Sequence, residues 1–588
     1  MVTVDGPHEI DGYHALLLQV SPLQYRAKSK LLTAFPRVEV DLEFTERDAS
    51  LSGADALESR EAFGNLFLNP RRGVALRLDM PTVPIHLPNG PELLIVYATM
   101  FASAAQRLAQ WKNRRGLITE LLEFKNDIST PDKAAAAYTA LKSAIRTRRA
   151  KLGARLRYVL LLGDIDDIPN EERGGTTTDY YYSTKVDYVD GQPIPMPWLA
   201  LGRIPVRDND EALAVVDQIV AYERTPPADP AYYHRFVAAA HFETQLVTSP
   251  GMTKSVDQRD YAFTMETIRA FLEAQGWRAE RVYTCDTKIT SRNPLYYMNG
   301  IAVPADVVAD LTVPTAATQR LVDATTEGHL IIGHRDHGEA NGWHMPPFRL
   351  PDLDRIRGTM PSIIYSVNCL TGAFQSTTTD ETFAEKILRL PGTAPTLLAA
   401  TELSSTWRNN AMMLGLFDTM YGGLLPTFPG TTISYPIRFN RFGDILNYAR
   451  AYVLSAFRSE PLAVLTNYEM YHVLGDPSLE VWANEPRPLR VIASRPFPEP
   501  MQVLIELSAP APNCVVTLWQ GDTLFKRLTP AGQRVVVSLP AGSPLPDLTV
   551  CAWAPGFRFA ETNIGDNDKD SPRPPKWRVV TRMLGLGR

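Results

Sequence analysis

Four cysteines in 588 residues, Cys285, Cys369, Cys514 and Cys551, are too few for a disulfide framework. Cys514 and Cys551 share a β-rich C-terminal stretch, which leaves room for one bridge between them. Long hydrophobic runs are missing as well. No segment approaches the roughly 18–20 apolar residues of a membrane-spanning helix. The N-terminal MVTVDGPHEIDGYHALLLQV carries acids where a secretory signal needs Lys or Arg, and its apolar core, ALLLQV, is too short for one. A soluble, cytoplasmic protein is the expectation. Excess positive charge is absent too: 60 Lys and Arg against 65 Asp and Glu exclude a nucleic-acid surface as the main partner.

What is there is ordinary globular material, 45% apolar and 21% charged. Residues 1–88 read as a β-rich unit and linker, with strands at YHALLLQVSPL and RVEVDLEF and then a stretch without steady periodicity. From residue 89 apolar runs alternate with helical patterns: PELLIVYATM, MFASAAQRLAQWKNRRG, LITELLEF, RYVLLLGDIDDIP and PWLALGRIPV fill a first α/β subdomain, 89–228. A second, 229–485, continues through HRFVAAAHFE, YAFTMETIRAFLEAQGW, RVYTCD, HLIIGHRDHG, PSIIYSVNCLTGAF, PTLLAATEL and the helix NNAMMLGLFDTMYGG. The alternation predicts a mostly parallel sheet flanked by helices on both faces. Residues 486–562 change to short strands at sandwich spacing, and the basic tail 563–588 reads as disordered.

Histidine is scarce, ten in all, yet HLIIGHRDHG holds His329, His334 and His337, and His344 follows. His334, His337 and His344 supply three imidazoles, enough on paper for zinc. An extended strand, however, turns His334 and His337 to opposite faces. The other reading is a nucleophile. Ligands of open α/β sheets bind at the carboxyl ends of strands. His337 ends the strand LIIGHRD and Cys369 ends IIYSVN, each before a polar, Gly-containing loop. If the strands are neighbours, imidazole and thiol emerge side by side, and a thiolate attacks carbonyl carbon. The Gly338 and Cys369 amides could then hold an oxyanion. A cysteine taken at random is more often a small buried apolar residue; Asn368 before it and Thr371-Gly372 after it argue for a loop mouth instead.

These residues resemble the gingipain-type cysteine peptidases, in the clan that also holds caspases and legumain. DHGEANGW matches that family's His-Gly stretch, with a Trp six residues after the histidine, which selects His337 over His334. The interval from His337 to Cys369 is also similar. WKNRRG, YVLLLGDIDDIP, TDYYYS, ALGRIPV and VLGDPSLEVW look like further landmarks, so the resemblance covers nearly the whole chain. It implies a caspase-like catalytic fold of two α/β subdomains, a β-rich prosegment before it and an immunoglobulin-like β-sandwich after it. It implies an endopeptidase acting on peptide or protein substrates, with His337 and Cys369 as the dyad and no organic cofactor. Structural calcium is known among relatives, but the loops here place no ligands for it.

The resemblance also carries over Glu243 as the acid near the catalytic histidine, Asp260 as the acid at the base of an Arg-specific pocket, and Trp407 as the pocket wall. Each has a plainer reading: a solvent-facing acid, a helix cap and a core aromatic. In that family the first unit masks the cleft until it is cut, by the enzyme itself or an activating protease. Arg60, Arg71 and Arg72 lie in the aperiodic stretch where such a cut would fall. Three features depart from the pattern: Glu339 replaces a small residue after His-Gly, SRNPLYYMNGIAVPADVVADL is extra, and a signal peptide is not recognised. The rival readings are a catalytically silent caspase-fold binding protein and a zinc hydrolase.

Overall fold

The structure, a computed structural model, describes the backbone of strands at residues 2–10, 13–20, 23–26 and 31–34. It also describes residues 90–564 apart from 250–251, 286–294, 297–300, 359, 377–379, 426–438, 498–501 and 539–547. The expected strand RVEVDLEF, the linker with Arg60, Arg71 and Arg72, and the C-terminal tail lie outside the described residues. Two compact units result: residues 1–109 with 118–485, and 110–117 with 486–588.

The first unit is built on a ten-stranded sheet. In chain order its strands are β1 (Leu93–Ala98), β2 (Thr119–Phe124), β3 (Tyr158–Leu162), β4 (Ala200–Ile204), β5 (Arg235–Phe242), β6 (Arg278–Cys285), β7 (Ile331–Arg335), β8 (Ile363–Ser366), β9 (Thr396–Ala400) and β10 (Tyr471–Gly475). Their order across the sheet is β6-β5-β7-β8-β9-β10-β4-β3-β1-β2. YVLLL, IIYS and TLLAA are buried at every residue, as strands covered on both faces must be. β6, β5, β7, β8 and β9 are mutually parallel. β10 runs antiparallel to β9 but parallel to β4, and β4, β3, β1 and β2 continue parallel. The sheet is therefore two parallel halves of opposite sense joined at one antiparallel seam. YHVLG is the seam strand β10, and its last three residues open VLGDPSLEVW; hydropathy alone did not separate it from its surroundings.

Among the covering helices, α1 (Asn209–Arg224) starts where the Asp208 carboxylate accepts from the Glu211 amide. α2 is Tyr261–Glu273 and α3 is Pro314–Glu327. α4 (Phe383–Arg389) opens with a Thr382–Glu385 capping box, and α5 is Thr406–Tyr421. The interval between Glu243 and Asp260 is filled by a hairpin, Thr244–Ser249 with Met252–Asp257. Leu295–Tyr296 and Ile301–Ala302, from the extra segment, extend that hairpin into a four-stranded sheet.

The second unit is a two-sheet sandwich. One sheet holds Val491–Phe497, Gln502–Leu507 and Arg534–Ser538; the other holds Thr523–Leu528, Val515–Gln520, Leu548–Trp553 and Ala560–Asn563. Ala493, Val503 and Ile505 of the first share one core with Val516, Leu518 and Val550 of the second. No disulfide joins Cys514 and Cys551, so the bridge allowed for in the sequence is not formed. Among the described residues no helix is long and apolar enough to cross a membrane.

Candidate active site

Strands β5, β7, β8 and β9 are parallel neighbours, so the loops that follow them share one rim. His334 of β7 stands in register with Ser366 of β8. Three residues beyond each come His337 and Cys369. β5 delivers Glu243 to the same rim, and the loop after β9 delivers Ser404.

The turn that carries Cys369 is held from below. Asn368 donates from Nδ2 to His334 Nδ1 at 2.7 Å and to Ser366 Oγ at 2.9 Å, while its Oδ1 accepts from Thr371 Oγ1 at 2.7 Å. Leu370, next to Cys369, takes a left-handed conformation, φ +58°. Such a backbone costs energy in a branched residue and is kept only where the surroundings impose it. The Ser404 amide donates to Cys369 Sγ at 3.3 Å, and Ser404 Oγ lies 3.5 Å from it.

Gly338 packs directly on this turn: a Cβ there would fall 2.5 Å from Cys369 O and 2.7 Å from the Asn368 side chain. The His344 amide donates to His337 O at 3.1 Å, which makes 337/344 a hydrogen-bonded pair of the small hairpin. The next pair, Gly338/Trp343, is then a non-bonded one, and the Gly338 N–H points out of the ladder. The Cys369 N–H also meets no acceptor among the described residues. Two unspent amides thus belong to residues that pack on one another at this turn.

His337 is half exposed, with Nε2 3.6 Å from Glu243 Oε2 and the Tyr261 ring edge-on at 5.9 Å. Burial lowers its pKa; Glu243 opposes that shift, while Arg259 and His344 add to it. Arg259 Nε lies 3.3 Å from the same Glu243 oxygen. The thiol's hydrogen bonds go to Ser404 and the imidazole faces Glu243, so the two are not bonded to one another.

His334 is fully buried and its ring is spent. Nδ1 accepts from Asn368, Nε2 donates to Met345 O at 3.0 Å, and the ring stacks on Trp343 at 4.3 Å. The three imidazoles proposed for zinc therefore do not converge. One trio among the described residues, Glu280, Glu327 and His329, brings metal-type ligand atoms together. Its carboxylates are already paired with Arg278, which lies 2.6 Å from Glu280 and 3.3 Å from Glu327.

Asp260 precedes α2 at φ +57° but makes no side-chain cap bond. Its Oδ1 is buried without a hydrogen-bond partner, and burial raises its pKa to about 6. Trp407 sits in the first turn of α5, partly exposed; that helix starts at Thr406, ahead of the NNAMMLGLFDTMYGG stretch read as helix from the sequence. Its neighbour Thr406 meets Arg259 Nη1 at 3.4 Å and the Tyr261 hydroxyl at 3.5 Å, which ties the two segments together.

The pattern of peptidase family C25 matches residues 86–482, two thirds of the chain and all of this sheet. The chain belongs to peptidase family C25. It is 21% identical over 506 residues to Gingipain R1 of Porphyromonas gingivalis, an alignment covering 84% of this chain and 44% of that one. To Gingipain R2 of the same organism it is 20% identical over 544 residues, 91% of this chain and 65% of the other. The chain thus spans less than two thirds of the length of these relatives. It shares the fold of the crystal structure of the Arg-specific cysteine proteinase gingipain R, with TM-score 0.60, 17% identity, 82% of this chain and 100% of that one covered. The complex of Porphyromonas gingivalis RgpB pro- and mature domains gives TM-score 0.59 at 17% identity, covering 81% of this chain and 99% of the matched one.

Several residues of this C25 chain's rim escaped sequence reading. Ser404 gave no signal, because its contact with the thiol is made through a backbone amide. Arg259 hid beside Asp260. Arg335 was visible as a lone charge inside an apolar strand run, which asks for a partner.

Proposed function

We propose that this chain is a cysteine endopeptidase with Cys369 as nucleophile. The observation that carries the reading is the packing of Gly338 on the Cys369 turn, which brings two residues with unspent amides together at the end of adjacent parallel strands. The thiolate attacks the peptide carbonyl, and the Gly338 and Cys369 amides hold the oxyanion. His337 protonates the leaving amine, and water then hydrolyses the thioester. Glu243 orients the imidazole while sharing its charge with Arg259. None of these steps calls for an organic cofactor.

Asp260 supports a preference for Arg before the cut. A half-buried carboxylate with an unpartnered oxygen and no capping role is a poor structural residue but a good seat for a guanidinium. Trp407, in the first turn of the adjacent helix, suits the pocket wall. We further propose that the chain is made latent and cut after Arg60, Arg71 or Arg72. Incubation of the purified chain and sequencing of any new N-terminus tests this. A cut after Arg that Cys369→Ala abolishes is expected, and full activity in the uncut chain would refute latency.

The test of the peptidase itself is a peptide-based thiol-reactive probe. It should label Cys369 in the folded protein, and Cys369→Ala should lose both labelling and turnover while Cys285→Ala, Cys514→Ala and Cys551→Ala keep them. A folded chain that, even after a cut at Arg60, Arg71 or Arg72, cleaves nothing and ignores the probe, yet alkylates at Cys369 once denatured, would be a silent binding module instead.

A further inference from the structure

We propose that Arg335 supplies the fixed positive charge against which the Cys369 thiolate forms. The role rests on the peptidase reading and adds a positioning residue to it. Arg335 is fully buried in β7, two residues before His337. Its guanidinium is fastened on every side. Nε and Nη2 donate to Asn410 Oδ1 at 3.0 and 2.6 Å, Nη2 also to Thr406 O at 3.1 Å, and Nη1 to Val367 O. The Tyr261 ring lies over it at 4.8 Å.

All of these acceptors are neutral, and among the described residues no carboxylate pairs with Arg335. A guanidinium does not give up its charge inside a protein, and a buried charge without a counter-ion is costly. The fastening points bracket the nucleophile. Val367 stands two residues before Cys369, and Thr406 two residues after Ser404, whose amide donates to Cys369 Sγ.

The other charged and titratable groups nearby do not fill the role. Asp336 is adjacent, but its Oδ2 accepts from the Met345 amide at 2.8 Å and burial raises its pKa well above the carboxylate range. Tyr471 donates to Asn368 O at 3.1 Å, and its own pKa is raised by burial. Tyr261 is raised in the same way. Burial lowers the pKa of Arg335, against which Tyr261, Tyr471, Asp336 and Cys369 all act. His337, the usual cation beside a catalytic thiolate, faces Glu243 here, with Arg259 and His344 beyond, and its pKa is lowered. That leaves the thiolate as the charge that balances Arg335.

The experiment follows alkylation of Cys369 by iodoacetamide across pH in the full-length protein, read at that cysteine by peptide mass spectrometry. In Arg335→Gln the half-maximal pH should rise by about one unit or more, the size of effect a nearby opposite charge exerts. If Arg335→Gln fails to fold, Asn410→Asp provides the second arm. It gives the guanidinium a counter-ion without removing it, and the half-maximal pH should again rise. A profile unmoved in Arg335→Gln or in Asn410→Asp overturns the proposal and leaves the peptidase reading intact. A wild-type Cys369 that, in protein already cut after Arg60, Arg71 or Arg72, alkylates no faster than the same residue in the denatured chain overturns both.

Discussion

Glu243 Oε2 lies 3.6 Å from His337 Nε2 and faces Arg259 Nε at 3.3 Å on its other side. The carboxylate raises the imidazole's pKa against a larger lowering by burial, and the guanidinium adds to that lowering. In Glu243→Gln the His337 ionisation should therefore move further down in pH, and in Arg259→Gln it should move up. Imidazole NMR titration reads both. Turnover in Glu243→Gln should fall roughly tenfold or more, short of the roughly 10⁴-fold loss when the orienting acid of a catalytic triad is replaced. Opposite directions of shift would show that the carboxylate does not act on His337.

Gly338 leaves no room for a side chain. A Cβ would meet Cys369 O at 2.5 Å and Asn368 Oδ1 at 2.7 Å, and Asn368 is held by His334, Ser366 and Thr371. Even Gly338→Ala should cost about 1–3 kcal/mol in denaturant unfolding, as overpacking does. Because the nucleophile's own carbonyl must shift, turnover should fall about 10²–10³-fold, the scale of losing one oxyanion donor. Normal turnover in a folded Gly338→Ala protein would remove the amide from the mechanism.

Much of this site was legible in the sequence because parallel strands are unbroken apolar runs and their ends carry the chemistry. LIIGHRDHG and IIYSVNCL gave both strands and both rim residues, and the structure adds the register His334↔Ser366. The opposed sense of the sheet's halves was not legible, since a buried strand reads alike in either direction; only the pairing of β9 with β10 fixes it. Nor could periodicity separate a rim histidine from a core one three residues away. That distinction lies in what surrounds His334: Trp343, Met345 and Asn368, all distant in sequence or across a turn.

His334 should accordingly prove structural. His334→Ala removes a buried ring stacked on Trp343 and leaves the Asn368 amide without one acceptor. The expected loss is about 2–4 kcal/mol of unfolding free energy, combining a core truncation with an unsatisfied buried donor. His337→Ala should lose little stability, because the ring is half exposed, but about 10²–10⁴ in turnover. Denaturation curves beside single-turnover rates separate the two, and a reversed ranking would exchange their roles.

Asp260, as the proposed seat for Arg before the cut, should make the substrate preference depend on pH. Burial raises its carboxyl to about 6, so it is neutral below that pH and charged above it. Asp257, fully buried three residues earlier, is raised to about 8 and stays protonated through the neutral range, adding no charge of its own. A substrate with Arg before the cut should gain over its uncharged citrulline counterpart as pH rises through about 6. The comparison is the ratio of their kcat/KM values, which reports groups of the free enzyme and cancels the shared dependence on Cys369 and His337. A charge-assisted pair formed in that pocket is expected to make the ratio about tenfold or more above the transition. Asp260→Asn should hold the ratio low and flat across the range. A wild-type ratio that does not change with pH, or one that Asp260→Asn leaves intact, would place the basic-residue pocket elsewhere.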